Sequence, residues 1–456
     1  MNNAWNFNGN NRNLNNNNVN TTYQCGAVSK LLKTIITLMT IVRFWNILLD
    51  TMFTARKNKR YGKDCAQFEA NWTPLLYRMM CQFVSRTFRI LRNYAFLTSI
   101  PKWREIFATY FEGRLADHLL CDTLHPYIEK ELHENSFNNR IGKGQQAAIN
   151  AVIEAIHSVS EGYTKPCRII KWDLKGFFPN ANCDYMEKCF RDVIDLYRKD
   201  IVNRYGDEAP AFLKWLAMIC VHCYPARHCE LRTPWHFWQE HIEPSKSIMN
   251  KEPGTGVPIG RLGSQTGMGL YINDEVRWLN DECGILTIVF MDDGAEIVPE
   301  RLHGYALSLM PELRKRLAAK GVKMNEKKFY DQPYQHGVEF LGSHIKPHRI
   351  HLNNKTYNRA MMRVVEFNEM PDKYRYLDRV IASINSYTGQ LKARTDYNRL
   401  MTFVNTLDKD WWEWLDWDSQ RLCVTPKPEF SMRKRLAMKY NIKHKRNDSR
   451  RIVRVA

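Results

Sequence analysis

The chain has 456 residues, a formal charge of +19, 13 Trp, 21 Tyr and 12 Cys. That length supports a sizeable core in two or three subdomains, and the scattered cysteines exclude a small secreted disulfide framework, which points to reduced thiols and a cytoplasmic setting. Excess positive charge with abundant aromatics suits a partner that offers phosphates and stackable bases.

Residues 1–25 are asparagine-rich (AWNFNGNNRNLNNNNVN) and too poor in apolar side chains to offset their ordering entropy, so a disordered tail is expected. No signal peptide is legible. Ala27 to Phe53 is apolar, but Lys30, Lys33, Arg43 and Asp50 interrupt it. No uncharged run approaches the roughly 20 residues of a membrane span, so an amphipathic helix and no membrane partner are expected. Lys30 to Leu120 reads as mainly helical, with a basic cluster at Ala55 to Lys63 and punctuation at Pro74 and Pro101. Helical spacing of apolar residues runs from Trp103 to Leu132, with a break at Pro126.

At Ser136 to Ile156, a turn holding Arg140, Gly142, Lys143 and Gly144 opens an alanine-rich helix. Glycines let a backbone approach a phosphate, though an ordinary helix-start turn explains the same residues equally well. Arg168 to Leu174 reads as a strand with Asp173 near its end, followed by Phe177 and Phe178 between Gly176 and Pro179. Asp184 to Tyr205 reads as one helix, and residues 206–254 as an irregular insertion. That insertion holds Cys220, Cys223, His228 and Cys229; the adjacent second pair argues against a zinc site, which wants separated ligands.

Gly254 to Leu279 is glycine-dense and then helical. In Leu286 to Val298 a buried strand is expected to reach a turn at Asp292-Asp293-Gly294 and to return from Ala295. Two adjacent carboxylates near a core need a cation, whereas a solvated surface turn needs none. A helix (Arg301 to Lys320) and short strands in GVKMNEKKFYDQ and VEFLGSHIKP follow. Lys355 to Trp417 reads as helical, with Trp411 to Trp417 packing rather than stacking on bases; a basic tail closes the chain.

The order of these pieces is informative. Two strands that deliver carboxylates to one point are what two-metal phosphoryl transfer needs. REI with Arg114, RIGKG, DLKGFF, GVPIG with Ser264-Gln265, FMDD, the lysines of MNEKK, and FLG together resemble the reverse transcriptases, over roughly Trp103 to Leu391. The resemblance implies an α+β right-hand polymerase with an antiparallel palm sheet, fingers and a helical thumb. It divides the chain into the 1–25 segment, a basic helical region (26–102), fingers (103–165), first palm segment (166–205), insertion (206–253), second palm segment (254–348), thumb (349–425) and basic tail (426–456). The stretch after the thumb is too short for a ribonuclease H or endonuclease domain.

The resemblance also implies roles. Asp173, Asp292 and Asp293 would hold two Mg2+ ions, with Mn2+ as a substitute, and the backbone carbonyl of Leu174 would add a ligand. Phe178, five residues after Asp173, would exclude a ribose 2′-hydroxyl and so select deoxynucleoside triphosphates. Arg140 and Lys143 would contact the triphosphate. Gly256 to Gln265 would support the base pair. Lys328, ahead of Lys327, would be the general acid. Phe340, Leu341 and Gly342 would form the primer grip. Partners would be template RNA, the cDNA with its primer, and a small basic accessory protein.

At Ile259 many reverse transcriptases carry glutamine, and loss of that polar anchor should loosen discrimination unless Ile259 simply packs. GVPIGRLGSQ with Ile259, Lys246 to Met249, the FLGSHIKPHR run, and Ile384 to Ala393 resemble the diversity-generating retroelement branch. That branch copies with errors at template adenines. Asparagine codons are adenine-rich, so residues 1–25 would be translated template repeat, with initiation at Met39 or Met52; deleting them should leave polymerisation intact. An antiviral-defence or retron-type reverse transcriptase is the second expectation, and an inactive RNA-binding protein on a polymerase scaffold the third.

Overall fold

The computed structural model describes residues 40–60, 62–99, 102–227, 229–371 and 373–430. The asparagine-rich start, Met39, Pro101, His228 and the basic tail from 431 lie outside them. Helices α1 (40–56), α2 (Lys63–Ala70) and α3 (Trp72–Val84) bury Leu48, Met52, Phe68, Leu76 and Phe83 in the largest core.

Strands β1 (Asn93–Thr98) and β2 (Arg104–Thr109) then pair antiparallel, from Asn93 with Thr109 to Thr98 with Arg104. This corrects the helical reading of the segment that starts at Trp103. Glu105, Phe107 and Thr109 are buried in alternation, which is the strand period. Helix α4 (Phe111–Glu131) runs unbroken through Pro126, another correction. Proline removes one ladder hydrogen bond, but Leu124, Tyr127 and Ile128 on either side are buried in the core and hold the helix together.

Helix α5 (Gln145–Val159) is where it was expected, and β3 (Cys167–Lys175) carries Asp173. After the short turn α6 (Phe177–Asn180), the expected single helix is two, α7 (Cys183–Leu196) and α8 (Arg198–Tyr205), with Tyr197 at the joint. The insertion is more regular than its sequence suggested. It contains α9 (Ala209–Val221), the short strand β4 (Cys229–Leu231), which pairs parallel with β1, and α10 (Trp235–His241). Helix α11 (Leu262–Arg277) leads to β5 (Thr287–Phe290) and β6 (Asp293–Pro299).

Helix α12 (His303–Ala319) precedes β7 (Lys323–Met324) and β8 (Tyr330–Pro333). The central sheet runs β5-β6-β3-β7, with β8 also on β3, and all of its pairs are antiparallel. A second sheet is β9 (Val338–Phe340), β10 (Ser343–Lys346) and β11 (Arg349–Leu352). Helix α5 shares a core with both sheets through Ile149, Val152, Ile169, Ile297 and Phe340.

The C-terminal helices α13 (Asn354–Asn368), α14 (Leu377–Lys392) and α15 (Tyr397–Asn405) build a separate core around Val364, Ile384 and Phe403. A hairpin of β12 (Leu415–Asp418) and β13 (Cys423–Pro426) joins it, and β12 corrects the end of the helical reading that ran to Trp417. Trp411 is fully buried there, so it packs, as read from the sequence. The molecule is α+β. Among the described residues, no helix is long and apolar enough to cross a membrane.

Candidate active site

The site forms at one end of the central sheet. Asp173 and Asp293 are direct cross-strand partners, and the Leu174 amide donates to the Asp292 carbonyl at 2.8 Å. Phe290 pairs with Asp293, so the two-residue turn is Met291–Asp292. This corrects the expected turn: Asp293 and Gly294 already belong to β6. Met291 adopts φ +57°, a left-handed conformation uncommon for a residue with a long side chain. Gly294 serves packing instead of the turn. A Cβ there would lie 2.2 Å from the Trp172 ring, whose indole crosses the neighbouring strand.

Strand periodicity sends Lys171 and Asp173 to the same face of β3, and Trp172 to the other. The Lys171 amine lies 2.6 Å from Asp293 Oδ1, and the Lys328 amine 2.5 Å from Asp173 Oδ2. Asn325 holds Asp173 twice, through its amide to the carbonyl (2.8 Å) and its Nδ2 to Oδ1 (2.9 Å). A 3₁₀ turn, Glu326–Lys328, brings Lys328 to that point. Burial opposes the charge on Lys328, but the hydrogen bond and charge of Asp173 prevail, and its pKa is raised.

Among the described residues no cation lies against the Asp292 carboxylate. Desolvation first, then Asp293 and Asp173, push it up to about 6. Lys102 is within electrostatic reach of Asp292, Asp173 and Lys328; burial first, then Arg104 and Lys328, hold its pKa down.

Lys171, Asn325 and Lys102 were missed in the sequence. The two-residue period of KWD could have found Lys171, because it places that amine beside Asp173. Nothing local flags Lys102, whose partners are more than 70 positions away.

The other expected residues fall into three groups. Segment 135–137 lies along β5, with hydrogen bonds Phe137 to Val289 O (3.0 Å) and Val289 to Asn135 O (2.9 Å). The Arg140 guanidinium behind it is engaged by Glu129 at 3.0 Å and by the His133 and Ser136 carbonyls. Lys143 donates to the Glu134 carbonyl. Both cations are therefore committed to protein groups in this structure. Arg140 and Gln265 instead line one cavity of about 390 Å³ between α4 and α11.

Phe178 is joined to the glycine-rich loop, because Val257 donates to the Phe178 carbonyl (2.9 Å) and Gly256 to Ala181 O (2.8 Å). Gly256 is at φ +88°, and a Cβ there would meet the Pro179 carbonyl at 2.9 Å. Ile259 is half-buried, and its carbonyl accepts from Phe107 at 2.9 Å, which ties the loop to β2. Next to it, Arg261 forms a buried two-pronged ion pair with Asp117 of α4 (Nε to Oδ2, 2.9 Å) and touches Cys223 Sγ.

Phe340 is buried and sits in the core, so its ring is not presented at the surface. Leu341 and Gly342 form the turn that follows, with φ +49° and +76°, and the Gln145 side chain donates to Leu341 O at 2.6 Å.

The aspartates supply hard oxygen donors, and Asp292 is desolvated among like charges, so the donor set fits magnesium in kind. Among the described residues no three His, Cys, Asp or Glu side chains stand as a ready metal cage. Lys171 and Lys328 occupy the carboxylates that such ions would need. Of the described residues in the cysteine cluster, Cys220 is buried and Cys223 is against Arg261.

No family model and no curated protein matches the chain. Among solved structures, the chain is similar to telomerase from Candida tropicalis in complex with a TWJ fragment of telomeric RNA, at 10% identity and TM-score 0.41, covering 74% of this chain and 56% of that one. The apo Candida tropicalis telomerase gives 12% identity, TM-score 0.41 and coverage of 74% and 61%. Candida albicans telomerase with a TWJ fragment of telomeric RNA gives 11% identity, TM-score 0.37 and coverage of 75% and 65%. The chain thus spans less than two thirds of each of these structures.

Proposed function

We propose that the protein is an RNA-directed DNA polymerase. The observation that carries this reading is the cross-strand pairing of Asp173 with Asp293, with Asp292 in the adjoining turn and amines on either side. Like charges brought together, with Asp173 buried and Asp292 and Asp293 half-buried, are costly unless the site uses them. Magnesium ions held by Asp173, Asp292 and Asp293 would activate the primer hydroxyl and neutralise the triphosphate.

The chain's own groups have definite tasks in this reading. Lys171 and Lys328 neutralise Asp293 and Asp173 before substrate arrives. Lys328 Nζ, kept protonated by Asp173, is the proton donor to the leaving pyrophosphate. Phe178, fixed by the Val257 hydrogen bond, screens the sugar. For Arg140 to reach a triphosphate it must leave Glu129. Residues 103–165, 166–348 and 349–425 would serve as fingers, palm with its insertion, and thumb.

At a finer level we propose a diversity-generating retroelement enzyme, supported by GVPIGRLGSQ with Ile259 and by the adenine-rich codons of the asparagine tract. Sequencing cDNA made on the cognate RNA tests this: errors concentrated at template adenines support it, and evenly spread errors remove it. Primer extension on an RNA template, with deoxynucleotides and magnesium, tests the polymerase reading itself.

A further inference from the structure

Trp103 and α10 build an aromatic ladder that the reaction chemistry does not use. Trp103 and His241 stack face to face, with centroids 3.9 Å apart and planes at 5°. Phe237 continues the ladder at 6.0 Å and 28°, and His236 lies 4.4 Å beyond Phe237. Trp103 keeps 40% of its surface exposed, so ring area remains open to a ligand. Isolated exposed aromatics are ordinary, but an exposed ring held parallel against its neighbour is a stacking platform.

The platform is fixed from below. On the inner side of α10, Trp238 is buried and its Nε1 donates to Glu105 Oε2 at 3.3 Å. The Ser247 hydroxyl donates to the same oxygen at 2.8 Å, and the Ile248 amide to Oε1. Glu105 is two residues from Trp103, so β2 anchors the helix and the residue just before the strand supplies the top ring. Such support cuts the ordering entropy that binding would otherwise incur.

Its place and charge point to the occupant. Lys102 and Arg104 flank Trp103, and Lys102 is within electrostatic reach of Asp173 and Asp292. Glu243, just past α10, lies within reach of Lys175, two residues from Asp173. The nearby acids Glu240 and Glu243 are paired with His241 and Lys246. An exposed ring between two cationic residues suits a single strand with unpaired bases, because a duplex keeps its base faces covered.

We infer that the Trp103–His241–Phe237 ladder holds unpaired nucleotides of the template RNA beside the carboxylates. This rests on the polymerase reading for the word template. The test is fluorescence anisotropy with a labelled single-stranded oligouridylate RNA and with a duplex RNA of equal length. Trp103→Ala should weaken single-strand binding by roughly 10-fold, the scale of one lost base stack, and Phe237→Ala should weaken it as well. Trp103→Phe should restore most of the loss, and duplex affinity should stay the same.

Equal single-strand affinity for wild type and Trp103→Ala overturns the inference. So does a Trp103→Phe variant as weak as Trp103→Ala, or an equal loss with the duplex RNA. Thermal melting of each variant identifies a fold defect, and a loss explained by unfolding in both Trp103→Ala and Phe237→Ala counts against a platform. If the losses appear but wild type extends no primer, the polymerase reading fails and the platform stands. If primers are extended and Trp103→Ala binds normally, the reverse holds.

Discussion

Among the described residues three hairpins reverse direction through two residues, β9–β10, β5–β6 and β10–β11, and the first two make a contrast. Between β9 and β10 the turn is Leu341–Gly342, and both residues have positive φ, the sign pattern of a type I′ turn. Glycine takes the position with the larger φ, so sequence and backbone agree at that residue. Between β5 and β6 the turn is Met291–Asp292, and only Met291 is at positive φ, the sign pattern of type II′. Glycine is the usual residue there, and methionine is not. The first turn follows local backbone preference at Gly342 only, since Leu341 at φ +49° is itself uncommon for a bulky residue. The second departs from it at the point where three aspartates meet, and strained backbone of this kind is stored where geometry serves function.

That contrast can be broken or sharpened. The largest effect is expected on chemistry. Asp173→Ala should lower polymerase activity by about a thousandfold or more, since it removes a charge worth several kcal/mol in the transition state; steady-state primer extension reads this, and a loss below tenfold would count against its role. Next comes Gly294→Ala. The new Cβ meets the Trp172 ring, so a destabilisation of roughly 3 kcal/mol is expected in urea unfolding, the upper end for overpacking. An unchanged midpoint would show that Trp172 moves freely.

Met291→Gly should do the opposite and stabilise by up to about 1 kcal/mol, because glycine accepts positive φ. A loss of stability would mean that Met291 is held there by packing at no backbone penalty. A pH-dependent effect concerns Glu296, behind the turn on β6. Its Oε1 accepts from Trp172 at 2.9 Å, while Oε2 is buried without a partner. Burial pushes its pKa from 4.5 up to about 8. The folded state therefore holds the proton more tightly than the unfolded state. The associated stability is complete below the unfolded value and is lost as pH rises through the folded value. The melting temperature of Glu296→Gln, measured against wild type, should gain between about pH 5 and pH 9; a constant difference would refute the assignment.

Much of this was legible in the sequence. Apolar, β-branched runs flagged β3 and β5, and Asp173, Asp292 and Asp293 do meet. Helix α5 and the short strands after α12 also follow from their local pattern. The rest depended on distant partners. REIFAT is a strand because Asn93–Thr98 lies beside it, and nothing in its own spacing outweighs the helical pattern that begins at Phe111. DDG looks like a turn until Trp172 claims the space next to Gly294. Arg140 looks free to bind phosphate until Glu129, 11 residues earlier, is folded against it. Lys102 and Lys328 reach the same carboxylates from opposite ends of the chain, so no window of sequence holds both.

The central claim is that Asp173, Asp292 and Asp293 form a polymerase centre, and its most direct test is primer extension. Purified wild type and Asp292→Ala would be given an RNA template, a DNA primer, deoxynucleoside triphosphates and magnesium or manganese. The account predicts extended DNA from wild type, none from Asp292→Ala, and the same RNA affinity for both. Absence of extension by wild type with either metal, or equal extension by the two proteins, would contradict it.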